Sequence, residues 1–294
     1  MILVTGATGT IGRPLVELLT AQGAEVRGLA RHTGDDLDAL PGAVEMVAGD
    51  LSRPETIVAA LDGVSSLFVH PRAVGDAAPA LLALAAERGV EHVAVLSAIN
   101  VDDDLSWQPS RLNGDRNKEV EDAVIGSGMA WVSVRPCSFA ASTSSMWATQ
   151  IRNGDVVRGP HAEFADPFIH EADVAAVLAA ALLDHRLAGQ KISITGPQSI
   201  THTQMVTTIG AVIGRPLRYE EISPTQAADD IVALGLPRSF AEAMMARYSR
   251  DLDRPTPVTV GVKKTLSRPA RTYAEWVFDH ATAFRNAPAA TQTS

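Results

Sequence analysis

A chain of 294 residues with 46% apolar and 20% charged residues suits two modest domains, or one large α/β domain with an appended lobe, and its core needs no staple. The single cysteine, Cys137, excludes an intrachain disulfide framework and a cysteine-rich zinc site. A net charge of −9, with no basic stripe beyond Lys263-Lys264 and no long uninterrupted apolar run, argues against a nucleic-acid partner and a membrane span.

Met1 opens directly on the apolar run Ile2-Leu3-Val4, which reads as a strand buried on both faces. No signal or transit segment is expected ahead of it, and a cytoplasmic location is expected, in keeping with the single cysteine. A helix is expected over Pro14 to Gln22, with Leu15, Leu18 and Leu19 on one face and Gly23 as its stop. Strands follow at Glu25 to Ala30 and Val44 to Ala48, then a short helix over Arg53 to Leu61. A fourth strand at Ser66 to Val69, a helix over Pro79 to Arg88 and a fifth strand at His92 to Leu96 continue the alternation. Residues 98–116 are polar and read as a long loop. A helix from Asn117 to Ile125, strands at Trp131 to Arg135 and Lys191 to Thr195, and an apolar helix over Asp173 to Asp184 come next. Three more helices, Thr203 to Ile213, Thr225 to Leu234 and Ser239 to Ser249, form a lobe of their own. The tail from Asn286 reads as frayed.

Strand–helix alternation with short glycine-bearing connections predicts a doubly wound parallel α/β sheet, a Rossmann architecture, with a smaller, mainly helical C-terminal lobe. The expected division is a dinucleotide-binding domain over 1–150 and a substrate-side lobe over 151–290. The strands near 131–135 and 191–195 also join the sheet.

Between the first strand and first helix lies Gly6-Ala7-Thr8-Gly9-Thr10-Ile11-Gly12. Gly6 takes the tight turn, Gly9 leaves room for a pyrophosphate and Gly12 lets the helix pack closely on the strand. The helix N-terminus offers N–H groups and the positive end of its dipole to phosphate. Thr8 and Thr10 add hydroxyl donors. The spacing is G-x-x-G-x-x-G, a variant of the usual fingerprint, and its alternative is a turn that binds nothing. NAD-binding proteins place an acid about 20 residues further on. Here the second strand ends Gly28-Leu29-Ala30-Arg31-His32, so an arginine stands in the acid's place. A guanidinium suits a 2′-phosphate, which makes NADP(H) the expected cofactor. Arg13 is a second candidate for that phosphate, and both arginines also read as solvated surface residues. Asp35 and Asp36 fall too late to supply the missing acid. Asp50-Leu51 is the expected place for adenine contacts, or a helix start capped by Ser52.

With these residues in view, the chain resembles the NmrA-like family of atypical short-chain dehydrogenases/reductases. The resemblance rests on T-G-A-T-G-T-I-G at 5–12, R-G-L-A-R at 27–31, G-D-L at 49–51 and V-L-S-A at 95–98. It continues through K-E-V-E-D-A-V-I-G-S-G-M-A-W-V-S-V-R-P at 118–136, F-I-H-E-A-D-V-A at 168–175, I-T-G-P at 194–197 and R-T-Y-A-E-W-V at 271–277. It implies an NADPH-dependent oxidoreductase acting on a small aromatic, quinone-like or carbonyl compound. It also admits a non-catalytic NADP(H)-sensing regulator, or a redox-neutral isomerase or lyase on the same scaffold. Typical short-chain reductases carry a serine and a tyrosine four residues before a lysine. Lys118 matches the lysine and Ser97 the serine region, and these two are the expected catalytic residues. Gly114 stands where the tyrosine belongs.

His70, after the fourth strand, falls at the carboxyl edge of the sheet and is counted among the cofactor-site residues. It can orient a substrate, donate a proton, or be a plain loop histidine. Cys137 reads as a small buried residue and Asp102-Asp103-Asp104 as a solvated loop. No metal site is expected. Substrate contacts are expected from loops at 71–76, 98–113, 137–149 and 160–169. There Trp107, Phe139, Met146, Trp147 and Phe164 supply surface for a small hydrophobic or aromatic substrate, with ordinary core packing as the alternative. A homodimer is compatible with the chain.

Overall fold

The computed structural model describes residues 1–30, 40 and 44–285. Arg31, His32, Asp35, Asp36 and the tail from Asn286 lie outside the described residues. In chain order the elements are β1 (Ile2–Thr5), α1 (Gly12–Ala21), β2 (Val26–Ala30), β3 (Glu45–Ala48), β4 (Ser66–Val69), α2 (Pro71–Val74), α3 (Ala78–Glu87), β5 (His92–Leu96), α4 (Pro109–Leu112), α5 (Asn117–Gly126) and β6 (Ala130–Pro136). There follow α6 (Ser142–Asn153), β7 (Val156–Gly159), β8 (Ala165–Asp166), α7 (Glu171–Leu183), β9 (Gln190–Ile194), β10 (Ile200–Thr201), α8 (His202–Ile213), β11 (Arg218–Glu221), α9 (Pro224–Ala233), α10 (Arg238–Asp251), α11 (Gly261–Leu266) and α12 (Tyr273–Asp279).

Packing separates two compact units. The first holds Met1–Cys137, Glu171–Thr195 and Thr259–Ala270; the second holds Ser138–His170, Gly196–Val258 and the chain from Arg271. The expected division runs consecutively through residue 150. The observed units interleave, because α7 and β9 return to the sheet after the excursion that begins at Ser138.

The first unit is built on a seven-stranded sheet in the order β3-β2-β1-β4-β5-β6-β9, parallel throughout. Every residue of β1, β4 and β5 is buried, as a sheet covered on both faces requires. Leu3, Leu67, Val69 and Val93 share one core with Leu81 and Leu82 of α3 and Val120 and Val124 of α5. The strand order reverses between β1 and β4, so the carboxyl ends of these two strands form the switch point where doubly wound sheets bind ligands.

The second unit is mainly helical. Trp147, Ile151, Phe164, Met205, Ile209, Tyr248 and Trp276 make its core. Two small sheets accompany it, β8 antiparallel to β10 and β7 parallel to β11.

Three local expectations change. Helix α1 begins at Gly12, ahead of Pro14, with Ile11 at its N-cap. The Arg53 to Leu61 segment forms two 3₁₀ turns, Pro54–Ile57 and Ala59–Leu61, in place of one helix. The Thr56 hydroxyl donates to the Arg53 and Asp50 carbonyls, a local alternative to the helical pattern in a segment too short to favour it. The 98–116 stretch is more ordered than a plain loop. It holds a 3₁₀ turn at Leu105–Trp107, capped by the Asp104 carboxylate on the Ser106 N–H at 2.8 Å, and then α4.

Candidate cofactor site

The glycine loop leaves β1 through Gly6, whose φ of +65° favours glycine. The Gly9 N–H donates to the Gly6 carbonyl at 3.0 Å, and the Arg13 N–H to the Gly9 carbonyl at 3.0 Å. A Cβ built at Gly12 would lie 2.0 Å from the Gly6 oxygen and 2.7 Å from its carbonyl carbon. That position therefore requires glycine. Ala7 and Ile11 anchor the loop in the core, while Gly9 and Thr10 are exposed and Thr8 is half-buried. Ile11 gives α1 no side-chain cap, and the first turn has no acidic residue. Among the described residues, the positive end of this ten-residue helix therefore has neither a side-chain cap nor an acid in its own first turn.

His70 stands beside this loop, its Cβ 3.9 Å from where a Gly6 Cβ would be. The His70 N–H donates to Thr5 Oγ1 at 2.9 Å, and Thr5 Oγ1 donates to the Phe68 carbonyl at 2.9 Å. This ties the carboxyl ends of β1 and β4 together. The ring Nδ1 is buried with no hydrogen-bond partner among the described residues. Burial lowers the imidazole's pKa, so the ring is neutral at neutral pH. An uncapped helix end beside a buried, unsatisfied ring nitrogen fits a diphosphate-bearing ligand with nearby hydroxyls.

Asp50 Oδ1 accepts from the Ser52 N–H at 3.0 Å and from the Ser52 hydroxyl at 2.7 Å, and these two bonds hold its carboxyl below the usual range. Ser52 is therefore a donor to Asp50 and not a helix cap; Arg53 occupies the N-cap of the following turn. Leu51 packs in the core at 6% exposure, so its side chain serves the fold. Sequence reasoning assigned Gly28 no role in the loop. A Cβ there would meet Met46 Sδ at 2.4 Å and Ala7 Cβ at 3.0 Å, so β2 supports the loop from beneath.

The two expected catalytic residues belong to one network. Ser97, directly after β5, is buried, and its hydroxyl donates to the fully buried Glu121 carboxylate. Glu121 Oε1 is paired with Arg135 Nη2 at 2.6 Å. Arg135 Nη1 reaches Asp102 Oδ2 at 2.7 Å, and Asp102 Oδ1 accepts from Lys118 Nζ at 3.3 Å. Lys118 also pairs with Asp122 at 2.9 Å, one helical turn on. The bond to Asp122, then that to Asp102, raises the lysine's pKa, which makes it a poor acid at neutral pH. Asp102 is thus a bridging residue, which corrects the solvated-loop reading of its cluster.

Gly114 has φ of +93°, and its N–H closes the end of α4 on the Arg111 carbonyl at 3.0 Å. A tyrosine at this position would have to adopt a left-handed backbone. All three tyrosines of the chain lie in the second unit. Burial raises the pKa of Tyr219 and Tyr273 and pushes Tyr248 up to about 12.

Of the aromatic candidates, Trp147 and Phe164 are core residues of the second unit, at 2% and 1% exposure, which favours packing over pocket lining. The Trp147 ring sits 5.4 Å from His202 and the Phe164 ring 4.4 Å from Tyr248. Phe139 and Met146 are half-buried, Trp107 is exposed, and Cys137 is buried. Sequence reasoning also missed Arg247 of α10. It donates to Ser138 Oγ at 3.0 Å and pairs with the buried Asp166 at 2.6 Å. It thereby joins the 138 and 166 segments.

An NAD(P)H-binding family model matches residues 6–185. The chain belongs to this NAD(P)H-binding family, as an NmrA-like atypical short-chain dehydrogenase/reductase. An NAD(P)H azoreductase from Xenophilus azovorans is 35% identical over 97% of this chain and 99% of its own length. A (4-alkanoyl-5-oxo-2,5-dihydrofuran-3-yl)methyl phosphate reductase from Streptomyces griseus is 35% identical over 97% and 99%. The same fold recurs in an NADPH-dependent quinone oxidoreductase from Escherichia coli crystallised with NADPH. The TM-score there is 0.80 at 20% identity, covering 96% of this chain and all of that one. NAD(P)H is the cofactor of the family. Among the described residues no helix is long and apolar enough to cross a membrane.

Proposed function

We propose that the protein is an NADPH-dependent reductase of small aromatic, quinone-like or azo compounds. The observation that carries this reading is the Gly6–Gly12 cradle at the β1/β4 switch point, in a chain whose relatives are named NAD(P)H azoreductase and (4-alkanoyl-5-oxo-2,5-dihydrofuran-3-yl)methyl phosphate reductase. The N–H groups at the start of α1, with Thr8 and Thr10, bind the diphosphate. Asp50 serves the adenosine end. Arg31, with Arg13, selects the 2′-phosphate. Lys118, held by Asp102 and Asp122, donates from Nζ to ribose hydroxyls, and its raised pKa suits binding better than proton transfer.

Bound NADPH supplies a hydride. The choice of acceptor then follows from the proton. Hydride transfer to a quinone leaves a phenolate-like oxygen of pKa about 10, which water protonates readily. Hydride transfer to an isolated ketone leaves a far more basic alkoxide, which calls for a positioned acid. Gly114 occupies the usual donor's place, and Ser97 commits its hydroxyl proton to Glu121. The arrangement therefore favours quinone-like acceptors, whose reduced forms are weakly basic; the azo acceptor rests on the azoreductase relative instead, because the nitrogen anion it would leave is strongly basic.

NADPH oxidation with a naphthoquinone, an azobenzene dye and an aliphatic ketone tests this. Turnover is expected with the first two and not with the ketone. Silence with all three would remove the reading.

A further inference from the structure

The acidic run after β5 does more than keep a loop in water. Asp102 divides its two carboxylate oxygens between two cations from different elements. Oδ2 accepts from Arg135 Nη1 of β6 at 2.7 Å, and Oδ1 from Lys118 Nζ of α5 at 3.3 Å. Arg135 cannot swing away easily. Its Nε donates to both oxygens of Glu121, at 3.1 and 3.3 Å, and its Nη2 donates to Oε1 at 2.6 Å. Glu121 is fully buried and also accepts the Ser97 hydroxyl. Lys191 Nζ approaches the same carboxylate at 3.8 Å. A buried pair with this many bonds is a fixed point, because any displacement strands a charge away from water. The Ser97 N–H to Val134 carbonyl bond at 2.8 Å ties that fixed point to the end of the sheet.

We infer that Asp102 is a positioning residue, which transfers the fixed placement of the Glu121–Arg135 pair to the ammonium of Lys118 and so orients it for the nicotinamide-side ribose. The inference rests on the cofactor role proposed for Lys118. A four-carbon stem has many rotamers, and freezing it costs entropy at the moment of binding. Two carboxylates, Asp122 from the same helix and Asp102 from outside it, hold Nζ before the ligand arrives. Asp122 alone leaves the lysine lying along its helix. Asp102 adds a direction set by the sheet. Neighbouring acids in the run have other roles: Asp104 caps the Leu105–Trp107 turn, and the Asp103 N–H bonds to the Asn100 carbonyl at 3.1 Å.

The test is a double-variant cycle on cofactor affinity, with NADPH binding measured by titration calorimetry on the full chain. Lys118→Met and Asp102→Asn should each weaken binding, the second by about fivefold, the upper end for a half-exposed ion pair. Asp102→Asn made in the Lys118→Met background should add nothing, because a positioning residue has no effect once the residue it positions is gone. Asp103→Asn should match the parent. Equal losses from Asp102→Asn in both backgrounds would overturn the inference, since Asp102 would then act on the fold at large. So would a Lys118→Met loss with an unchanged Asp102→Asn, which would leave the cofactor role of Lys118 standing. Failure of the parent protein to bind NADPH would instead remove the reductase reading itself. A thermal melt of each variant separates a folding defect from a binding one.

Discussion

A side chain at Gly12 would put its Cβ 2.0 Å from the carbonyl oxygen of Gly6. The obstacle is backbone on both sides, so no rotamer change relieves it, and the loop must open. Gly12→Ala should therefore cost about 1–3 kcal/mol of stability, as overpacking does, and weaken NADPH binding by about tenfold or more through the displaced cradle. Gly63→Ala is the control. Gly63 has φ of +73° but open space around it. It should lose about 1 kcal/mol to backbone strain and keep its cofactor affinity. Equal affinity losses from both would show that strain, not the cradle, governs binding.

Gly114→Tyr recreates the spacing of tyrosine and lysine seen in typical short-chain reductases, yet it should not create their chemistry. Position 114 has φ of +93°, which costs an L-residue about 1–2 kcal/mol. The strained turn at the end of α4 would shift instead of presenting a phenol. The variant should melt at a lower temperature and remain inactive on an aliphatic ketone. A gain of ketone reduction would mean that the turn accommodates the tyrosine in working geometry.

The pair of Arg247 and Asp166 makes the sharpest stability prediction. The carboxylate is fully buried and the arginine side chain 16% exposed. Arg247→Met leaves Asp166 charged without its cation, and breaking such a pair costs about 3–5 kcal/mol. Arg247→Met combined with Asp166→Leu removes the stranded charge and should recover part of that loss. Urea denaturation of the three proteins checks this. A double variant less stable than Arg247→Met alone would argue that the carboxylate has support beyond Arg247 and Ser138.

The parallel sheet was legible because its signals are local. Ile2-Leu3-Val4, just before Gly6, and Val93 to Leu96 are short unbroken apolar runs, and both lie in strands. The glycine loop was legible for the same reason, since three glycines constrain backbone within seven residues. Contacts between distant parts of the chain left no such trace. Nothing near Asp102 in the sequence announces Arg135, and nothing near Ser138 announces Arg247, 109 residues later. Trp147 and Phe164 stayed ambiguous in the sequence, because an aromatic residue in a loop-like stretch is the same letter whether it lines a pocket or fills a core. Ser52 looked like a helix cap, but Asp50, two residues earlier, takes its hydroxyl proton.

His202 provides a test by pH. Its ring is fully buried among Trp147, Phe164, Tyr219 and Tyr248; Nδ1 bonds to the Pro160 carbonyl at 3.0 Å, and Nε2 has no hydrogen-bond partner among the described residues. Burial lowers its pKa to about 4, against the opposing pull of the Pro160 and His161 backbone and of Asp166; His161 adds to the lowering. The unfolded chain takes up a proton near pH 6.5, whereas the folded one resists until about 4. Between those values the unfolded state binds more protons, so stability falls as pH falls. Above about 6.5 the contribution is complete and flat, and below about 4 it is fully lost. From pH 7.5 to 5 the loss from this group should be on the order of 2 kcal/mol. Other carboxylates titrate in acid too, so the informative quantity is the difference from His202→Phe, which keeps an aromatic ring in the cluster while Tyr219 still donates to the Pro160 carbonyl at 2.8 Å. The variant should lose about 2 kcal/mol less than the parent over that interval. Identical slopes for the two would mean that His202 takes up its proton in the fold as readily as in the unfolded chain, and that its burial has no electrostatic cost.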